Sequence, residues 1–209
     1  MENKSGFSLN MIPNMGKTVF YENELLLADS FGIDITTEDL KRLLPMNSLQ
    51  VDFFMILFCL RGELSFLLNR QTIQLHANEV AIVKYNDIGE VMESSLHFDL
   101  FVMGFSNNSY IENMYSKSIW ESRKFVLFNN HFTIDEEDMQ LHLMFYQMMK
   151  ERLMDDSFLP KKDFVAKSLS LMGVIMQNTI MHASQSMQQM SNQRNVLLFE
   201  QFIKLVEDN

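Results

Sequence analysis

His97 and Asp99 stand two residues apart, so on a strand both side chains share a face and could work as an acid–base pair. They alternate with Leu96, Phe98, Leu100 and Val102, which equally marks them as the solvated side of a half-buried strand. His76 falls at a turn, and His142 lies beside Met139 and Tyr146 on a helical face, where it reads as a packing residue rather than a ligand. The single cysteine, Cys59, sits in an apolar run with no neighbouring base and reads as a small buried hydrophobe. Asp135-Glu136-Glu137-Asp138 opens a helix, where the dipole stabilises carboxylates, so it reads as a helix start and not as a calcium site. The sequence has no glycine-rich phosphate loop, no His-Glu-x-x-His and no nucleophile elbow. The expectation is therefore a protein that is not an enzyme and uses no metal or cofactor.

The elements that carry these residues belong to a folded chain. Its 209 residues fit one domain or two small ones, and 47% hydrophobic with 21% charged residues is the composition of a globular protein. The net charge of -10 repels phosphate, so this region is not expected to hold DNA by itself. A lone cysteine excludes an internal disulfide framework and suits a reducing cytosol. Met1 to Gly16 is polar and lacks the apolar core of a signal peptide. Phe53 to Leu60 is the longest wholly apolar run, far short of the roughly 20 residues that cross a bilayer. A soluble cytoplasmic protein without a membrane segment is expected.

From Thr18 to Phe105 the periodicity is that of short strands. Residues 51–60 are almost all apolar and rich in Phe, as in a strand covered on both faces. Leu64, Phe66 and Leu68 alternate with polar neighbours, as in a half-buried strand. Asn69-Arg70 and His76-Ala77-Asn78 read as turns, and Thr72–Leu75 and Glu79–Lys84 as the strands beside them. Asn86-Asp87 and Gly89 mark a further turn before a strand over Leu96–Met103. A small helix capped by Thr36 and ended by Pro45 intrudes earlier. After Phe105 the period becomes helical: a short helix over Ser106–Ser118, a last strand over Phe125–Phe128, then a long helix opened by a capping box at Thr133 and running to about Asp155. Pro160 starts another helix over about Lys161–Ala183, and Gln185–Gln193 reads as a linker or weak helix. The fold class is α+β, with boundaries at 1–130 for the strand region, 131–185 for the helical region and 186–209 for a linker and a final helix.

The two long helices are more apolar than one contact requires. Met139, Leu143, Tyr146, Met149 and Leu153 form one stripe of the first, and Leu141, Met144 and Met148 a second patch elsewhere on its circumference. In the second helix Phe164, Leu171 and Ile175 lie beside Val165, Leu169, Met176 and Ile180. Two readings are open: helices sandwiched between a sheet and each other, or a homodimer interface over Leu141, Met144, Met148, Val165, Leu169, Met176 and Ile180. The final helix presents Phe199, Phe202, Ile203 and Val206 on one face, then closes on Glu207 and Asp208 at the negative end of its dipole. That stripe is expected to continue into a domain beyond this chain.

The run D-F-F-M-I-L-F-C-L-R-G-E-L-S-F from Asp52, followed by I-Q-L-H-A-N-E-V-A-I-V from Ile73, resembles the N-terminal cupin-like domain of AraC-type bacterial transcription regulators. In that family the first run is a strand ending in a glycine, here Gly62, and the second is a strand pair around a turn, here Ala77-Asn78-Glu79. The 133–183 region is similar to the family's dimerisation helices, and L-L-F-E-Q-F-I-K-L-V-E to the first helix of its helix-turn-helix domain. The resemblance implies an antiparallel cupin-like barrel that senses an effector, a homodimer, and DNA binding only through a C-terminal domain absent from this chain. It also implies where cupin enzymes would hold a metal. Those positions carry Leu49 and Val51 (or Ser48 and Gln50), Met55 and Gly89, none of which offers imidazole or carboxylate. Cupin register points Phe53, Met55 and Leu57 inward, with Phe66, Leu68, Ile82 and Phe98 or Leu100. Such a lining suits a small apolar effector better than a sugar, whose unpaired hydroxyls would each cost about 1–3 kcal/mol. The same residues could instead fill the barrel solidly.

Overall fold

The Phe-rich run becomes the middle strand of a three-layer molecule. The computed structural model describes residues 18–31, 49–95, 98–106, 125, 126 and 128–207. Its strands are β1 (Val19–Tyr21), β2 (Leu25–Asp29), β3 (Leu49–Gln50), β4 (Phe53–Arg61), β5 (Glu63–Leu68), β6 (Gln71–His76), β7 (Glu79–Val83), β8 (Ile88–Ser94), β9 (Asp99–Ser106) and β10 (His131–Thr133). Two helices follow, α1 (Glu136–Met154) and α2 (Lys161–Glu207). The described strands form two antiparallel sheets, one in the order β1-β2-β9-β4-β7-β10 and one in the order β3-β8-β5-β6. The class is α+β, and among the described residues the strands stay in two sheets rather than closing into a barrel.

Strand β4 is apolar throughout because both its faces are covered. Phe53, Met55, Leu57 and Cys59 enter a core between the two sheets, while Phe54, Ile56 and Phe58 enter a second core under the helices. Register carries this division across the sheet: Leu57 pairs with Ala81 and Val102, which face the first core. Phe58 pairs with Val80 and Phe101, which face the second. Strand β5 buries Leu64, Phe66 and Leu68 and turns its other side outward, so its alternation survives folding.

Turn chemistry behaves as the residues dictate. Asn69 and Arg70 both take positive φ (51° and 67°) in a two-residue link from β5 to β6, the twist that joins antiparallel strands tightly. Asn78 takes φ 63° between β6 and β7.

Four expectations differ from the structure. Residues 88–94 form strand β8, with Gly89 paired to Leu49 rather than turning; a register shift between Ser65 and Phe66 against this strand blurs the alternation that would have marked it. Residues 125, 126 and 128 are helical, and the last strand is β10 instead. Asp135, not Thr133, caps α1, its Oδ1 accepting the Asp138 N–H at 2.7 Å. The helix expected over Lys161–Ala183 runs on to Glu207, so of the two readings of 185–193 the helix holds and the linker does not, since Gln, Met and Ser carry no helix-breaking geometry. The small helix at 36–45 and the helix at 106–118 fall on or run into residues outside those described.

Candidate functional site

The core between the sheets is built from β2, β4, β5, β6, β7 and β9, with Val51 before β4 and Phe98 before β9. Phe53, Met55, Leu57, Phe66, Leu68 and Phe98 all lie in it, fully buried, with Leu100 beside them. Ile82 does not. It pairs with Ile56 and faces the helices, and Ala81 and Val83 take the inward places. The reason is plain in the sequence: Val80-Ala81-Ile82-Val83 is apolar at every position, so strand period alone cannot tell one face from the other. Ile73 and Leu75 of β6 also face inward, which their alternation with Thr72, Gln74 and His76 did signal.

Every side chain of this cluster is apolar, Cys59 included. Burial pushes the Cys59 thiol up to about 12, and its Sγ lies 3.7 Å from the carbonyl oxygens of Arg61 and Gly62, so it is no nucleophile at neutral pH. Met55 is buried in the cluster, and Leu49 stands directly opposite Gly89. Such side chains do not fit a metal.

Polar chemistry collects in the helix-facing layer. Tyr146 Oη donates to Asp29 Oδ2 at 2.7 Å, and Lys150 Nζ ion-pairs with the same oxygen, fixing α1 to the end of β2. Burial first, then the hydrogen bond to Asp29 and its charge, raise the Tyr146 phenol far above its ordinary value. His142 is fully buried, its ring 4.8 Å from Phe58, and its Nε2 lies 3.0 Å from Thr179 Oγ1 on α2. Among the described residues its Nδ1 has no hydrogen-bond partner, and burial pushes the imidazole down to about 4. Phe58 also stacks on Phe101 at 4.5 Å, so sheet and helix share one aromatic cluster.

The remaining sequence candidates separate. Asp99 forms a 2.9 Å ion pair with Arg61, while His97 lies outside the described residues. His76 is half-exposed and bonds Glu79 through Nδ1 at 3.3 Å. Of the dimerisation candidates, Val165, Leu169, Met176 and Ile180 are buried inside this chain against the sheet and α1, and therefore have no surface to offer a partner. Leu141, Met144 and Met148 are exposed, Met144 at 58%. The part of α2 over Lys161–Gln188 is long and apolar enough to cross a membrane, with 44% of its most apolar window buried inside the chain. Its apolar composition follows from packing on a sheet whose facing side is itself apolar.

No family model and no curated protein matches the sequence. Among solved structures the chain is similar to the AraC-like transcriptional activator CuxR, at a TM-score of 0.41 and 9% identity over 75% of this chain and 48% of that one. It is similar to Vibrio cholerae ToxT with a bound unsaturated fatty acid, at 0.37 and 10% over 63% of this chain and 49% of that one. It is also similar to the Cnp3 cupin domain of Schizosaccharomyces pombe, at 0.32 and 11% over 52% of this chain and 78% of that one. The chain thus matches about half the length of the two regulators.

Proposed function

We propose that the chain is the effector-sensing and dimerisation region of a cytoplasmic AraC-like transcription regulator, with DNA contacted by a C-terminal domain outside this chain. The observation that carries this reading is the shared sheet. Strands β4, β7 and β9 line the inter-sheet core with one set of alternate residues and the helix layer with the other. A small apolar molecule entering between the sheets would move side chains whose immediate neighbours in sequence hold α1 and α2. Leu57 and Phe58 are one such pair, facing opposite cores.

The mechanism is population shift: the ligand favours one arrangement of sheet and helices by roughly 1–3 kcal/mol, and the helices carry that preference to the DNA-binding domains. The described side chains of the inter-sheet cluster are apolar, which favours a lipid-like molecule over a sugar. Leu141, Met144 and Met148 on α1 supply the surface for a second copy. The reading of a ligand-free dimerisation scaffold has its own support in how completely the described interior residues are buried.

Native mass spectrometry of the purified chain tests the proposal. A dimer carrying one organic adduct per chain, released on denaturing ionisation, is the expected result. A bare dimer that takes up no added fatty acid would leave the scaffold reading, and a monomer would remove the dimerisation assignment.

A further inference from the structure

The first turn of α1 meets the middle of α2 beside a groove of about 780 Å³. Asp135, Asp138 and His182 stand together in its wall. Asp135 is the helix cap, and its Oδ1 is held by the Asp138 N–H. The Asp138 side chain is only 8% exposed, and its Oδ2 lies 3.1 Å from His182 Nδ1. One donor atom from each of the three residues falls within 4.8 Å of the others. The helix dipole accounts for two carboxylates at a helix start. It does not account for an imidazole brought to them from a second helix, 44 residues along the chain from Asp138.

We propose that Asp135, Asp138 and His182 bind a divalent transition ion of the zinc class, with its remaining positions open to water in the groove. Carboxylate and imidazole together are the donors such ions take, whereas calcium and magnesium prefer oxygen alone. Zinc–nitrogen and zinc–oxygen bonds of about 2.1 Å at a tetrahedral angle set donor atoms about 3.4 Å apart. The Asp138–His182 separation therefore needs to open only slightly. Asp135 is exposed and closes the remaining gap by turning its carboxylate, while the capping hydrogen bond keeps one oxygen fixed and leaves the other for the ion. The groove supplies the entry path. A bound ion would pin the start of α1 to α2 one turn from the His142–Thr179 contact, stiffening the helix pair that lies on the sheet.

The test is calorimetric titration of the EDTA-treated 209-residue chain with zinc chloride, alongside thermal unfolding with and without the ion. One zinc per chain with micromolar or tighter affinity is expected, with a rise of several degrees in Tm. His182→Ala and Asp135→Asn should each weaken binding at least tenfold while far-ultraviolet circular dichroism stays unchanged, since both side chains are exposed. His76→Ala should leave binding intact. Saturable binding that survives both groove variants, or no binding below millimolar zinc, would leave Asp138 and His182 as a hydrogen-bonded pair without a metal and would overturn the site.

Discussion

The two cores on either side of the six-stranded sheet are of similar apolar character but different construction. The described inter-sheet core is held mainly by non-directional contacts, from Phe53 and Leu57 to Phe66 and Val102, with Cys59 Sγ against the Arg61 and Gly62 carbonyls. The helix-facing core adds directional links: Tyr146 and Lys150 to Asp29, and His142 to Thr179. Non-directional packing tolerates rearrangement and exchange of one apolar occupant for another, whereas hydrogen-bonded contacts fix a register and switch between discrete arrangements. The proposed sensing needs the first property and the proposed transmission the second, and one sheet borders both cores.

Neighbouring residues on β4 separate the two most strongly. Phe58→Ala should cost about 3–5 kcal/mol, because it opens a cavity beside Phe101 and His142. Leu57→Ala should cost about 2–5 kcal/mol, and a small apolar additive such as benzene should restore part of that loss by filling the hole. Urea unfolding with and without benzene measures both; equal rescue of the two variants would erase the distinction.

Acid probes the helix-facing side through His142. His142 binds its proton only near pH 4 when folded but near 6.5 when unfolded. Between those values the unfolded chain carries the extra proton, so stability rises with pH across the window. As pH falls from about 6.5 to about 4, roughly 3 kcal/mol should be lost, with no further loss from this group below. His142→Gln should flatten that part of the pH profile. A profile equally steep in the variant would assign the loss to other groups.

The smallest expected effect lies on the surface. Met144→Glu should change the stability of the single chain by no more than about 0.5 kcal/mol. If Met144 faces a second copy, the same change should convert a dimer to monomer in analytical ultracentrifugation, and an unaltered dimer would place the interface elsewhere.

How legible all this was in the sequence depended on period. Where apolar and polar residues alternate, as at Leu64, Phe66 and Leu68, face and strand followed directly. Where every residue is apolar, as at Val80–Val83, there is no alternation to tell the faces apart, and Ile82 faces the helices rather than the inter-sheet core. The helices showed too many apolar positions to separate core from surface. Only the packed structure divides buried Val165, Leu169, Met176 and Ile180 from exposed Leu141, Met144 and Met148. The polar links were beyond any local pattern, because Asp29 and Tyr146 are 117 residues apart and Asp138 and His182 are 44 apart. Local spacing cannot report contacts that tertiary packing creates.

Hydrogen–deuterium exchange of the chain with and without oleate tests the central claim most directly, because it reads both cores at once. The account predicts that saturating oleate changes exchange in β4, β7 and β9 and, with the same midpoint, in α1 and the first half of α2. Oleate that leaves exchange unchanged everywhere, or alters the strands while α1 and α2 stay as they were, would contradict a sheet that couples an apolar interior to the helices.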